Sequence, residues 1–225
     1  MTTGCGALND ALAFPTEGRL IVFVGIPSHG KTSVARFVMV HTMEHHDRRW
    51  AVFSPEMQPW EQFVASCAEV FHGKQFWPDP TMPLVPAMSD DEIAFAERWF
   101  RHRLVMLVSD AEDDPPTIDW IIDRARACVL RDGVTDLLID PWNEVEHSRG
   151  GMTEAEYVGR SLQRLKAFGL RHGCNIWILA HPPNLRPVKP GAPIEAPGIY
   201  DISGGPNCAH KAALAISIHT PAGQN

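Results

Sequence analysis

The sequence has no apolar run long enough to cross a bilayer; its longest, near residues 20–24 and 104–108, are strand-sized. It has no CxxC pair. Its five cysteines stand singly, at Cys5, Cys67, Cys128, Cys174 and Cys208, which argues against a disulfide framework or a zinc knuckle. They read instead as reduced thiols acting as small hydrophobes. No internal repeat and no low-complexity tail occurs. Residues 1–10 have neither the basic and apolar regions of a secretory signal nor the Arg-rich, acid-free character of a transit peptide. A cytoplasmic protein is therefore expected. An excess of positive charge is missing too: the net charge of -7 excludes a general nucleic-acid coat, but not contact through one local basic loop. With 44% hydrophobic and 21% charged residues in a 225-residue chain, there is enough for one well-packed domain and too little for two.

Short apolar segments alternate with helical patterns along that domain. Residues 19–24, 50–54, 103–109, 137–140, 176–180 and 212–218 read as strands. Residues 32–46, 60–71, 89–100, 117–132 and 153–172 read as helices. The first of these is expected to bury Val34, Phe37, Val38 and His41. The last opens on a Thr153/Glu156 capping box, buries Val158, Leu162, Leu165 and Phe168, and stops at Gly173. The proline-rich stretch 76–88 must be loop. Strands that are apolar throughout and alternate with helices predict an α/β fold, a mainly parallel central sheet with helices on both faces. Ligands of such sheets bind at the carboxyl ends of the strands.

The polar clusters fall at those ends. Gly25-Ile26-Pro27-Ser28-His29-Gly30-Lys31-Thr32 fits G-x-x-x-x-G-K-[ST] between a buried strand and a helix, the context a P-loop needs. Its glycines let main-chain N–H groups curl around phosphates, and the helix N-terminus adds partial positive charge. Gly25, Ile26, Pro27, Ser28, His29, Gly30, Lys31, Thr32 and Ser33 are thus the expected nucleotide-binding segment. Lys31 is expected to reach the β- and γ-phosphates of ATP, and Thr32 to ligate Mg²⁺. Asp140 ends an apolar strand and precedes Pro141, which places its carboxylate at the strand tip as the magnesium-side acid. Glu56 follows the second strand and is a candidate for polarising water, although Pro-Glu also commonly opens helices. His181 follows the fifth strand, where a plain loop histidine is the competing reading. His41-Thr42-Met43-Glu44-His45 matches the H-x-x-E-H pattern of zinc peptidases, but its place on the helix after the P-loop reads as a polar helix end.

Five segments together, in this order, resemble the RecA-type core of DnaB-family ring helicases, above all the branch of phage primase-helicases and Twinkle. They are the P-loop, Phe53-Ser54-Pro55-Glu56-Met57, Leu138-Ile139-Asp140-Pro141-Trp142-Asn143-Glu144, Ala180-His181-Pro182 and Tyr200-Asp201-Ile202-Ser203-Gly204. The resemblance covers residues 19–220. It implies a RecA-like P-loop NTPase with Glu56 as catalytic base, Asp140 as magnesium acid and His181 as γ-phosphate sensor. It implies Mg-ATP hydrolysis coupled to translocation on single-stranded DNA. It also implies a homo-hexamer, a primase or helicase loader as partner, and the cytoplasm of a bacterial or phage-infected cell. In the family the loop after the sensor histidine grips the DNA backbone, which makes Asn184, Arg186 and Lys189 the first candidates. Asn207 and Lys211, in a second loop at 203–211, are weaker ones. Residues 1–18 are read as a lead-in and 19–225 as the core. The family's C-terminal part, with the arginine that completes a neighbour's site, is expected to be missing, which implies slow hydrolysis and poor ring formation. The alternatives are a RecA-like ATPase of recombination or plasmid replication that does not unwind DNA, and a nucleotide-binding scaffold.

Overall fold

The computed structural model describes residues 1–57, 59–109, 116–145, 150–183 and 194–221. Six strands form one sheet: β1 (Leu20–Val24), β2 (Trp50–Phe53), β3 (Leu104–Met106), β4 (Asp136–Ile139), β5 (Asn175–Ala180) and β6 (Leu214–Ser217). Their order is β3-β2-β4-β5-β1-β6, and every neighbouring pair is parallel. Parallel neighbours need crossovers, supplied by α2 (Lys31–His46), α3 (Trp60–His72), α4 (Asp90–Arg101), α5 (Ile118–Asp132) and α6 (Glu154–His172). A short α1 (Gly6–Ala11) lies in the lead-in, and α7 (Gly205–Lys211) precedes β6.

Side chains along a strand point alternately to its two faces, and the core divides accordingly. Leu20, Val22 and Val24 of β1 face a cluster with Ile121 and Ala125 of α5 and Leu162 and Leu165 of α6. Ile21 and Phe23 face the other cluster, with Val38 and Met39 of α2, Phe63 of α3 and Phe100 of α4. Every residue of β1, β2, β4 and β5 is buried, which is why these segments carry no alternation of polar and apolar residues. All strands run the same way, so the tips of the central four meet at one edge of the sheet.

The α6 reading holds in detail: Thr153 and Glu156 form the reciprocal cap, Val158, Leu162, Leu165 and Phe168 are buried, and Gly173 closes the helix with φ of 64°. Other expectations need correction. In α2 the buried face is Ala35, Val38, Met39, Thr42 and Met43, while Phe37 stays 39% exposed. Both stripes have helical spacing; the P-loop fixes which one turns inward, because it sets Lys31 into the core side of the first turn. Thr42 is tolerated there because its hydroxyl donates to the Met39 carbonyl (2.9 Å) and accepts from Trp50 Nε1 (3.2 Å). The edge strand β3 is shorter than expected. Residues 205–211, read as loop, are helical: Gly204 caps α7 in the left-handed region at φ of 71°, and Pro206 sits in its first turn.

Candidate functional site

The P-loop links β1 to α2. Gly30 is the helix cap at φ of 87°, and Ser28 also lies at positive φ, 63°. Gly25 is required for a different reason: a Cβ there would come within 2.4 Å of the Ile218 carbonyl oxygen, just beyond β6. The loop is thus pressed against the last strand. His29 reinforces that contact, since its Nδ1 accepts the Thr220 N–H at 3.1 Å and its ring stacks on His219 at 5.0 Å.

Lys31 is only 3% exposed. Its ammonium donates to the Ile26 carbonyl at 2.8 Å, folded back across the loop. Burial holds its pKa below the usual lysine value, while the charges of Asp140 and Glu56 work in the opposite direction. An ammonium so placed is desolvated, lightly satisfied and ready to exchange one carbonyl for phosphate oxygens.

Asp140 lies one residue past β4 rather than inside it, following Ile139 and preceding a cis bond to Pro141. It is 3% exposed and accepts a hydrogen bond from the Thr32 hydroxyl at 2.8 Å. Burial pushes its pKa up to about 6, and the nearby Glu56 charge adds to the rise; the Thr32 hydrogen bond, Lys31 and Arg36 pull the other way. A hydroxyl and a carboxylate oxygen in contact form a hard oxygen donor pair of the kind Mg²⁺ takes, together with waters and phosphate oxygens. The residues present fit that ion.

In front of this pair opens a cleft of about 560 Å³, lined by the P-loop together with Glu56, Asn143, Glu144 and His181. Glu56 comes from the turn after β2 and His181 from the tip of β5. Burial, then the Lys31 charge, lowers the His181 pKa, while Glu56 and Glu144 favour its protonated form. The Nδ1 of His181 is buried and makes no hydrogen bond of normal length, although the Gly25 carbonyl lies near enough to favour protonation. Residues far apart in sequence, from the tips of β1, β2, β4 and β5, therefore meet in one place.

The structure brings Lys31, Thr32, Asp140, Glu56 and His181 together. Within the P-loop, Pro27, Ser28, Gly30 and Ser33 line the cleft, whereas His29 turns to the β6 side. Asn184, Arg186 and Lys189 lie outside the described residues. Asn207 and Lys211 sit on α7: Asn207 Nδ2 donates to the Ala155 carbonyl (3.0 Å) and Lys211 Nζ to Asn207 Oδ1 (3.2 Å), so both help dock α7 on α6. Sequence reasoning assigned no role to Asn143 and Glu144. Both were inside the quoted Asp140 segment, but a polar pair leaving a strand carries no sign of which way it turns. Arg36, one helical turn beyond Thr32, was also missed; its charge acts on Asp140 and its Nε is buried without a hydrogen bond.

No protein-family profile matches the chain. The Twinkle homolog protein, chloroplastic/mitochondrial, of Arabidopsis thaliana is 31% identical over 217 residues, which is 96% of this chain and 30% of the relative. The chain thus spans less than a third of the length of that protein. Among solved structures, the ATPase domain of a DnaB-like helicase superposes with a TM-score of 0.66 at 13% identity, covering 88% of this chain and 69% of that one. The all-parallel sheet and its loop order are those of a RecA-like ATPase domain. By sequence and by fold, the chain is a helicase-type RecA-like core of the DnaB family, on the side of its Twinkle branch.

Proposed function

We propose that this core hydrolyses Mg-ATP and couples the cycle to movement along single-stranded DNA, as the motor part of a replicative helicase. The observation that carries the reading is the convergence of Lys31, the Thr32–Asp140 pair, Glu56 and His181 around one cleft. Lys31 leaves the Ile26 carbonyl and neutralises β- and γ-phosphate oxygens. The main-chain N–H groups of the loop and the N-terminus of α2 hold the remaining negative charge. Thr32 and Asp140 hold magnesium, which when bound supplies charge neutralisation at the same oxygens. Glu56 orients the attacking water and takes up its proton. His181 donates to the terminal phosphate and carries its presence or absence into the segment that begins at Pro182.

The domain assignment belongs to the same proposal: a lead-in at 1–18, the core from residue 19, and a neighbouring subunit that supplies an arginine in a homo-hexamer. Single-stranded DNA is held by the segment carrying Asn184, Arg186 and Lys189, with primase or a loader as protein partners. The compartment follows from the same reading, a bacterial or phage-infected cytoplasm; no described helix is long and apolar enough to cross a membrane.

The test is ATP turnover with and without single-stranded DNA. Wild type is expected to show DNA-stimulated turnover, Lys31→Ala to lose nucleotide binding, and Glu56→Gln to keep binding while turnover falls by at least about a hundredfold. Turnover that survives Glu56→Gln would remove the assigned base. Unwinding of a forked duplex separates a helicase from a RecA-like ATPase that only binds DNA.

A further inference from the structure

Beyond Pro141 the chain enters the 3-10 turn Trp142–Glu144, with Trp142 buried and Asn143 and Glu144 on the cleft wall. Asn143 Oδ1 accepts the main-chain N–H of His181 at 3.1 Å, so a side chain from the turn after β4 fixes the main chain where β5 ends. The imidazole itself is held less firmly. Its Nδ1 lacks a hydrogen bond of normal length, and the charged groups that face it are Lys31 at the start of α2, Glu56 after β2 and Glu144 on the turn, beside the Gly25 carbonyl. Lys31 repels a protonated ring; the two carboxylates attract it. Glu56 is committed to the attacking water, which leaves Glu144 as the carboxylate without another task in the cleft.

We propose that Asn143 and Glu144 are positioning residues for His181: Asn143 anchors its main chain, and Glu144 is the partner its ring takes whenever no terminal phosphate is present. The inference rests on the cleft being a nucleotide site. An imidazole between two acceptors, one built into the chain and one delivered with the nucleotide, has two resting places. Arrival of the phosphate draws the ring off Glu144, and loss of the phosphate returns it. Because the main-chain N–H stays fixed on Asn143, the exchange is a rotation of the side chain about a fixed point. Pro182 and Pro183 follow directly, and their restricted main chain transmits a change at His181 rather than absorbing it.

Histidine-selective NMR of the full chain tests this without relying on turnover, with the His181 signal assigned by its loss in His181→Gln. Without nucleotide, Glu144→Gln is expected to lower the pH midpoint of His181 by about half a pH unit, since it removes an anion that favours the protonated ring. With Mg²⁺ and a slowly hydrolysed ATP analogue, the difference between wild type and Glu144→Gln is expected to vanish. Asn143→Ala is expected to weaken analogue binding about fivefold, and Asn143→Asp, which keeps the acceptor, to restore it. If both proteins bind the analogue and their free-state titrations coincide, the Glu144 assignment is overturned; unchanged affinity in Asn143→Ala overturns the Asn143 one. If Lys31→Ala binds the analogue as tightly as wild type, the nucleotide reading fails first and takes this inference with it.

Discussion

Strand β4 begins and ends on an aspartate, and the two are treated in opposite ways. Asp136, at its start, is fully buried and saturated: it accepts from Arg48 Nε (2.6 Å), Thr135 Oγ1 (2.8 Å), Trp177 Nε1 (2.9 Å) and Asn175 Nδ2 (3.1 Å). Asp140, just past its end, is almost as buried but accepts one side-chain hydrogen bond, from Thr32. A buried carboxylate costs several kcal/mol unless it is paired and hydrogen-bonded. At Asp136 the fold meets that requirement from its own side chains. At Asp140 it leaves part of the requirement open, and the raised pKa measures the deficit. The saturated aspartate holds β2, β4 and β5 together at one edge of the sheet; the undersupplied one waits at the other edge for an ion. Burial alone therefore does not mark a working carboxylate. Unmet hydrogen-bonding capacity beside a cleft does.

The sharpest way to break this contrast is at Asp136. Asp136→Ala strands the Arg48 guanidinium, whose side chain is only 12% exposed, and is expected to destabilise the protein by about 3–5 kcal/mol in urea unfolding. Next in size is Asp140→Asn. For the metal-free protein the aspartate pKa is raised from 3.8 to about 6, so the folded state holds a proton more tightly than the unfolded state. Its contribution is then fully favourable below about pH 4 and is lost as pH rises through 6. Asp140→Asn is expected to be more stable than wild type by up to about 3 kcal/mol at pH 7 without Mg²⁺, with the gap closing toward pH 4. The same variant is expected to lose Mg²⁺-dependent nucleotide binding. A thermal melt unaltered at pH 7 would mean that Asp140 is satisfied in some other way. The smallest effect is expected at Thr135→Val, which removes one of four donors to Asp136 and should cost about 1 kcal/mol with no change in nucleotide affinity.

Features fixed by local chemistry could be read from the sequence. The Thr153/Glu156 cap, the apolar stripe of α6 and its Gly173 stop are all set within one helix, and all were legible. So was the placing of Lys31, Thr32 and Asp140, because a P-loop needs a strand before it and a helix after it, and an acid after apolar residues has to emerge at a strand tip. What escaped was fixed by tertiary partners. The rotation of α2 depends on how the P-loop delivers Lys31, and two adjacent stripes were equally apolar. The α7 helix begins in Gly204-Gly205-Pro206, which reads as a turn, and gains its register from Asn207 on the Ala155 carbonyl. The cleft-facing direction of Asn143 and Glu144 depends on a single 3-10 turn. Sequence patterns show which groups stand at the sheet edge, but not which way each one leans once there.

The parallel sheet, with its central tips gathered at one end, has a consequence for assembly. Lys31, Glu56, Asp140 and His181 hang from strands that are dispersed along the chain and become neighbours only after β2, β4, β5 and β1 have zipped in that order across the sheet. No single hairpin or isolated crossover contains enough of the cleft to grasp a triphosphate. A ligand held there recognises the finished sheet and ignores every partial one. Saturation at a hundred times its dissociation constant would deepen the native well by about 2.7 kcal/mol. Occupancy of the cleft thus certifies that the domain is complete before any of its fuel is spent.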